Sequence, residues 1–174
     1  MLLVGGASVR FGSPKALAVL GDGETLAERA WRLLGAACAA RVAVGKPGDG
    51  LALPFELLDD GIDVRAPLAG LVAGLRAAPT ELCVVVPVDC PRLTVDAVQR
   101  LAAACRDAAV PQTGPLPGAY RRRALTVLER RLAAGELRLR DALAELDVAR
   151  ITLPEEVLVN INRPSDLEPS WTPG

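Results

Sequence analysis

A glycine-rich segment near the start of the chain holds the residue types that bind phosphate groups. It runs from Gly5 to Lys15 and reads G-G-A-S-V-R-F-G-S-P-K, directly after a short apolar run. Glycines leave backbone N–H groups open to an anion because no Cβ blocks its approach, while Arg10 and Lys15 carry the positive charge that suits a triphosphate. The segment has neither the Gly-Lys-Ser/Thr of a P-loop nor the spacing of a dinucleotide fingerprint. It predicts a nucleotide phosphate loop of a different kind, with an ordinary strand-to-helix loop carrying surface charges as the alternative.

Three polar residues further along the chain are suited to a metal ion or a second substrate. Asp89 follows the most apolar strand pattern, and a carboxylate there faces solvent, caps a turn or holds a cation. With phosphates bound at the glycine-rich segment, that cation would be Mg²⁺. Asn160 and Asn162 would share one side of an extended segment and could offer amides to a phosphate, a metal-bound water or a base. Turn chemistry before Pro164 explains Asn162 equally well.

The composition narrows the chemistry that the chain can perform. It contains no histidine, which excludes Ser-His-Asp and Cys-His nucleophile systems and histidine-bound zinc. The near-equal numbers of basic and acidic residues, 20 and 21, and an aromatic content of 3% argue against a nucleic-acid partner. Carboxylates, lysines and arginines must therefore carry any chemistry.

The cysteines and the apolar pattern predict a cytoplasmic protein. The four cysteines show no C-x-x-C spacing and mostly lie in apolar periodic runs, so free thiols in a reducing cytosol are expected over a disulfide pair. The apolar run before Gly5 has no basic residues before it, so we expect no signal peptide. No apolar run approaches the length that spans a bilayer, and we expect no membrane partner.

Strand and helix patterns alternate along the chain, and these elements must position the polar residues. The alternation predicts an α/β fold with a single doubly wound, mainly parallel sheet and helices on both faces. Residues 1–167 are expected to form one domain, with 168–174 as a loose C-terminal tail. Helices are predicted from Thr25 to about Ala37, Pro67 to Leu75, Thr94 to Cys105, Arg121 to Ala134 and Leu139 to Leu146, and strands over Leu2–Val4, Arg41–Gly45, Phe55–Leu58, Leu82–Val86, Ala108–Val110, Val148–Leu153 and Val157–Ile161.

Together these motifs resemble those of the molybdenum cofactor guanylyltransferases, a MobA-like family of nucleotidyltransferases. The likeness runs from Leu2 to Leu167 and implies the Rossmann-like nucleotidyltransferase fold of that family. The family's opening L-A-G-G-x-S-x-R-M-G-x-x-K motif corresponds to residues 3–15. Its G-P-L-A-G, P-x-D-x-P-x-L and N-I-N-T-P-x-D-L motifs stand here as Ala66–Gly70, Pro87–Leu93 and Asn160–Leu167.

The resemblance implies a Mg²⁺-dependent reaction in which the phosphate of molybdopterin attacks the α-phosphate of GTP. Pyrophosphate leaves, and GMP is joined to the cofactor as molybdopterin guanine dinucleotide. Mn²⁺ is expected to substitute for Mg²⁺. The implied partners are GTP, molybdopterin or the molybdenum cofactor, and proteins that insert the finished cofactor into enzymes.

The resemblance also implies roles for individual residues, by motif position. Lys15, Arg10 and Asp89 would be catalytic, and Asp89 would also hold the metal. Asp59 would contact guanine, because a carboxylate can accept from both N1–H and the exocyclic amine. The nucleotide-binding residues would be Gly5, Gly6, Ser8, Arg10, Lys15, Asp59, Pro67, Leu68, Ala69 and Gly70, and Asn160, Asn162 and Tyr120 would lie near the second substrate or the metal.

Several positions depart from the family pattern, and two other functions stay open. The family often has an asparagine after its second strand, where this chain has Val44-Gly45-Lys46. Ala66 replaces a glycine, and Pro14 replaces an acid. One alternative is a cytidylyltransferase that acts on the molybdenum cofactor or on a sugar or polyol phosphate, against which the P-L-A-G segment speaks. The other is a non-catalytic nucleotide-binding protein, against which the retained Lys15 and Asp89 argue.

Overall fold

The computed structural model describes residues 1–5 and 14–167, and within them seven strands form one sheet. The predicted site residues Gly6, Ser8 and Arg10 and the predicted tail 168–174 lie outside the described residues. The strands are β1 (Leu2–Leu3), β2 (Ala43–Gly45), β3 (Leu57–Asp59), β4 (Leu82–Pro87), β5 (Ala108–Pro111), β6 (Gly118–Arg121) and β7 (Val148–Ile151). Their order across the sheet is β3-β2-β1-β4-β6-β5-β7, and β6 is the strand that runs antiparallel to its neighbours. The predicted mainly parallel α/β sheet is therefore confirmed.

Helices cover both faces of this sheet. They are α1 (Leu26–Ala37), α2 (Pro67–Ala77), α3 (Val95–Ala104), α4 (Leu125–Ala133) and the short α5 (Leu139–Ala142). Helices α1 and α3 pack against one face, and α2, α4 and α5 pack against the other. Successive strand residues point to opposite faces, so Leu2 joins the first of these cores and Leu3 the second. Doubly wound packing of this kind buries both faces of a sheet, as its continuous apolar strands require.

The helix starts follow the predicted caps. The Thr25 hydroxyl accepts the Glu28 backbone N–H at 3.2 Å, while the Glu28 carboxylate accepts the Thr25 backbone N–H at 2.9 Å, which completes the predicted capping box of α1. The Thr94 hydroxyl accepts the Ala97 backbone N–H at 3.2 Å at the start of α3. Pro67 is the first residue of α2, where its missing N–H costs no helical hydrogen bond. None of the helices in the described residues is long and apolar enough to cross a bilayer.

The parallel strands β3, β2, β1 and β4 end at one common edge of the sheet. Leu3 pairs with Val44 on one side and with Pro87 on the other, so the three middle strands finish level with one another. The segments that follow them therefore leave the sheet side by side. Ligands of open α/β sheets bind at this edge, and the chain brings the start of the glycine-rich segment and Asp89 to it.

The prediction of a strand over Val157–Ile161 is wrong. Residues Glu155–Leu158 form a 3₁₀ turn instead, and irregular backbone follows. Leu158 and Ile161 are buried as the apolar pattern required, but the Ile161 N–H donates to the Asp89 carbonyl oxygen at 2.9 Å and not to a strand. Apolar spacing indicates which residues are buried. Here Leu158 packs in the core beneath α1 and α3 and Ile161 packs against Leu20 and Leu26, so both are buried without strand pairing.

The predicted helix Arg121–Ala134 begins later than expected. Arg121 belongs to β6, and its N–H donates to the Asp107 carbonyl oxygen at 2.9 Å. A 3₁₀ turn over Arg122–Ala124 then leads into α4. Pairing with distant backbone therefore overrides the helical propensity of the arginine run. The four cysteines are free thiols, as predicted.

Gly118 occupies a position in β6 that admits no side chain. A Cβ there would lie 2.7 Å from the Pro115 carbonyl oxygen, 2.9 Å from Cε2 of Tyr120 and 3.3 Å from the Ala109 carbonyl oxygen. The first of these atoms also accepts the Tyr120 hydroxyl at 2.7 Å, so neither neighbour can move without breaking that hydrogen bond.

We expect Gly118→Ala to lower the free energy of unfolding by about 1–3 kcal/mol, because the added methyl overpacks a closed site. Urea unfolding followed by circular dichroism measures it. Gly48→Ala is the matched control, since a Cβ at Gly48 would meet no atom within 4 Å. An unfolding free energy of Gly118→Ala that equals the wild-type value would show that the site is not closed.

Candidate active site

Lys15, Asp89 and Asn162, which are far apart in the sequence, meet beyond the carboxyl end of β4. The Lys15 Nζ lies 3.4 Å from Asp89 Oδ2 and 3.5 Å from Asn162 Oδ1. The side chains of Lys15 and Asp89 are 16% and 27% exposed. The structure thus brings three of the predicted site residues together at a partly sheltered position that solvent and a ligand can reach.

Buried neighbours aim the two charged side chains at this position. Asp89 stands between Val88 and Cys90, which are 7% and 3% exposed and pack in the core beneath α1 and α3. Lys15 begins a 3₁₀ turn whose next residue, Ala16, is buried in the same core. Since the flanking side chains point inward, the carboxylate and the ammonium are left to face the sheet edge.

The segment Asn160–Asn162 is tied down by hydrogen bonds on both sides. The Ile161 N–H donates to the Asp89 carbonyl oxygen at 2.9 Å, and Ile161 is fully buried. The Asp166 carboxylate accepts the backbone N–H groups of Asn162 at 2.7 Å and of Arg163 at 2.8 Å. These two hydrogen bonds hold the pKa of the Asp166 carboxyl below its usual range, so the group stays ionised at neutral pH.

Cys90 contacts Asn160 and is a site residue that the sequence motifs did not single out. Its Sγ lies 2.8 Å from Asn160 Oδ1. Burial raises the pKa of the Cys90 thiol, and the charge of Asp89 raises it further. The thiol is therefore protonated and acts as a hydrogen-bond donor to the amide of Asn160, not as a nucleophile. In the sequence, the only indication of a site role for Cys90 was its position beside Asp89.

A cavity of about 180 Å³ opens at the same edge, between the ends of β1 and β2 and the start of α2. Gly70 allows α2 to approach the sheet closely, because a Cβ there would lie 3.0 Å from Cδ2 of Leu3. Of the predicted nucleotide-binding residues, Gly5, Pro67 and Gly70 line the cavity. Leu68 and Ala69 are buried in the core behind it, so they support the cavity wall. Its lining residues are Leu3, Gly5, Val44, Gly45, Lys46, Asp60, Arg65, Ala66, Pro67 and Gly70.

The structure places Asp60, and not its neighbour Asp59, on the wall of this cavity. The Asp59 side chain is 59% exposed, and its Oδ1 accepts the Gly61 backbone N–H at 3.0 Å. The Asp60 side chain is 9% exposed and forms an ion pair with Lys46, which also donates to the Ile62 carbonyl oxygen. Sequence reasoning missed Lys46 and Asp60 as cavity residues.

A second ion pair stands at the rim of the cavity. The two terminal nitrogens of Arg65 donate to the two carboxylate oxygens of Asp49, at 2.7 and 2.5 Å. These hydrogen bonds lower the pKa of the Asp49 carboxyl, so the pair stays charged at neutral pH. The rim therefore carries fixed charges of both signs, while much of the remaining wall is apolar side chain or backbone.

Tyr120 lies in the core and not beside Asp89. It pairs with Cys83 in the first half of β4, whereas Asp89 follows the other end of that strand. Its side chain is fully buried, its hydroxyl donates to the Pro115 carbonyl oxygen at 2.7 Å, and burial raises the pKa of that hydroxyl. The structure gives Tyr120 a packing position, in contrast to the predicted position near the second substrate.

A sheet with its charged residues and a cavity at the carboxyl ends of β1, β2 and β4 is typical of nucleotide-binding α/β enzymes. Comparison with known proteins narrows this class. The family described as the MobA-like NTP transferase domain matches residues 1–151. A Deinococcus radiodurans protein named "Probable molybdenum cofactor guanylyltransferase" is 42% identical over 176 residues, which cover 95% of this chain and 90% of that protein.

Solved structures agree with this assignment. The molybdopterin-guanine dinucleotide biosynthesis protein A of Archaeoglobus fulgidus superposes with a TM-score of 0.76 at 26% identity, over 95% of this chain and 93% of that one. The 2-C-methyl-D-erythritol 4-phosphate cytidylyltransferase of Thermus thermophilus has a TM-score of 0.72 at 21% identity, with the same coverage, and shows the shared fold alone. The chain is a nucleotidyltransferase. It belongs to the MobA-like NTP transferase family.

We expect Lys15→Ala to lower turnover of nucleotidyl transfer by about a hundredfold, because the variant loses a preorganised positive charge at the phosphates. Steady-state kinetics at saturating nucleotide measures the loss, and the circular dichroism spectrum should not change. Arg106→Ala is the control, since Arg106 forms an exposed ion pair with Asp147 away from the site. Near-wild-type turnover of Lys15→Ala would show that Lys15 is not an active-site residue.

Proposed function

We propose that this protein transfers GMP from GTP to the phosphate of molybdopterin or the molybdenum cofactor and releases pyrophosphate. The observation that carries the proposal is the meeting of Lys15, Asp89 and Asn162 at the same edge of the sheet as the cavity that Gly5 lines. In this proposal the base of one nucleotide lies in the cavity and its phosphates lie at the cluster of Lys15, Asp89 and Asn162. The names of two relatives, a probable molybdenum cofactor guanylyltransferase and a molybdopterin-guanine dinucleotide biosynthesis protein, support the choice of a guanine nucleotide and the molybdenum cofactor as substrates.

The reaction needs positioning and charge neutralisation more than a protein nucleophile. A phosphate oxygen of the pterin forms the new bond to the α-phosphorus of GTP, and the bond from that phosphorus to the bridging oxygen breaks. The electron pair leaves with pyrophosphate. Such a transfer requires alignment of the two phosphates and compensation of their negative charge. This demand fits a chain that has no histidine and a Cys90 thiol held in its protonated form.

The residues present fit Mg²⁺, with Mn²⁺ as its substitute. In the described residues no group of three or more His, Cys, Asp or Glu side chains is placed to hold a metal ion, so this part of the chain offers no complete metal cage. Mg²⁺ is commonly held by one or two carboxylates, substrate phosphates and water, and Asp89 offers one carboxylate at the required edge. When bound, the ion supplies positive charge to the triphosphate.

Lys15 and Asp89 have complementary tasks in this proposal. In the structure they pair with each other at 3.4 Å. When the pair opens, the substrate phosphates compensate the charge of Lys15 and a metal ion that of Asp89, so that neither charge is left without a partner. Lys15 then turns its ammonium to the phosphates of the nucleotide. Asp89 and the side-chain amides of Asn160 and Asn162 orient the metal ion or the phosphate of the second substrate.

The two alternatives have weaker support. A cytidylyltransferase shares the fold at an identity that carries no substrate information. A non-catalytic nucleotide-binding protein has no need for the contact between Lys15 and Asp89. The cytoplasmic location and the proteins that receive the product stay predictions.

A nucleotide panel tests the proposal. We expect the protein with Mg²⁺ and molybdopterin to release pyrophosphate from GTP, with much less from CTP and ATP, and to form a product whose mass equals molybdopterin plus GMP. Omission of molybdopterin or chelation of the metal should abolish release. Product formed from CTP at the rate found with GTP would instead favour the cytidylyltransferase, and nucleotide binding without any product would favour the non-catalytic protein.

A further inference from the structure

The most sheltered cation on the cavity wall is Lys46, directly after β2. Its side chain is 16% exposed, whereas that of Arg65, the other cation on the wall, is 45% exposed. Arg65 also directs two nitrogens to Asp49. Both cations line the cavity, and Lys46 is the one that is shielded from bulk solvent.

Two acceptors hold the Lys46 ammonium in place. It donates to Asp60 Oδ1 and to the Ile62 carbonyl oxygen. Asp60 is itself fixed, because its Oδ1 also accepts the Ile62 backbone N–H at 3.2 Å. The turn that follows β3 thus supplies both acceptors, so the position of the ammonium is set before any ligand arrives.

The geometry leaves Lys46 with donor capacity for a ligand. An ammonium has three N–H groups, and two are directed to the acceptors just named. Asp59 Oδ1 lies 3.8 Å from the Lys46 Nζ, beyond hydrogen-bond distance. Within the described residues the third N–H therefore has no acceptor at hydrogen-bond distance, and a base oxygen in the cavity can accept it.

We propose that Lys46, positioned by Asp60, is a specificity-determining residue that donates to the 6-oxo group of a purine base in this cavity. The inference rests on the proposed nucleotide function and deepens it. An ammonium can only donate, and guanine presents O6 and N7 as acceptors, whereas adenine carries an amino donor at its sixth position. The exocyclic amine of cytosine is likewise a donor. Lys46 therefore selects a keto base over an amino base.

Nucleotide analogues test this inference by isothermal titration calorimetry with Mg²⁺. GTP and inosine triphosphate keep the 6-oxo group, while ATP and 2,6-diaminopurine riboside triphosphate carry an amine there. We expect the wild-type protein to bind the two 6-oxo nucleotides tighter than the two 6-amino nucleotides by on the order of tenfold to hundredfold. Lys46→Met should bring that ratio close to one, and Lys46→Arg should keep most of it.

Two further variants separate base selection from a structural effect. Lys46→Met leaves the Asp60 carboxylate without its partner. The double variant Lys46→Met/Asp60→Asn removes both charges and should lose the preference for 6-oxo over 6-amino nucleotides in the same way. Arg76→Met is the control, because Arg76 forms an exposed ion pair with Glu129 at the far end of α2. The ratio of its affinities for 6-oxo and 6-amino nucleotides should equal the wild-type value.

The outcomes distinguish this inference from the proposed function. Wild-type protein that binds GTP while Lys46→Met and the double variant keep the full 6-oxo preference would overturn the role of Lys46 alone. Equal wild-type affinity for inosine triphosphate and the diaminopurine nucleotide would do the same. Wild-type protein that binds none of the four nucleotides would overturn the proposed function and this inference with it.

Discussion

The hydrogen bond from the Ile161 N–H to the Asp89 carbonyl oxygen holds the two halves of the charged cluster together. It joins the last described part of the chain to the turn after β4. Asn160 and Asn162 stand on either side of Ile161, so fixing this residue brings both amides to the carboxyl end of the sheet. Packing of Ile161 against Leu20 and Leu26 supports the same placement.

The sheet explains why distant residues can form one site. Parallel strands that end level with one another release their following segments side by side. Gly5 follows β1, Lys46 follows β2, Asp60 follows β3 and Asp89 follows β4 in this way. Two different environments therefore lie along this edge. The cavity between β1, β2 and α2 has a largely apolar wall, whereas the cluster of Lys15, Asp89 and Asn162 is polar.

Much of this arrangement could be predicted from the sequence. The apolar strand before Asp89 and the caps at Thr25 and Thr94 have direct physical signals, and the edge that Lys15 and Asp89 share follows from strand–helix alternation. These signals depend on residue type and spacing, which is why the fold and the meeting of Lys15 with Asp89 agree with the prediction.

The remaining features depend on the direction in which side chains point, which residue spacing does not predict. Asp59 and Asp60 are chemically identical neighbours. Asp59 turns back to the Gly61 N–H in a local turn, and Asp60 turns inward to Lys46. The burial of Tyr120 likewise follows from the pairing of β6 with β4, an antiparallel insertion that strand–helix alternation did not predict. Features of this kind depend on side-chain direction and not on composition.

We propose that Asp89 and Lys15 separate on substrate binding, so that Asp89 holds the metal and Lys15 the phosphates. A crystal structure with GTP and Mn²⁺, with the manganese located by its anomalous scattering, tests this separation most directly. We expect a manganese peak within roughly 2.5 Å of an Asp89 carboxylate oxygen, with the Lys15 Nζ against a phosphate oxygen and the base in the cavity beside Lys46. Manganese bound elsewhere, with Asp89 still paired to Lys15, would contradict this separation.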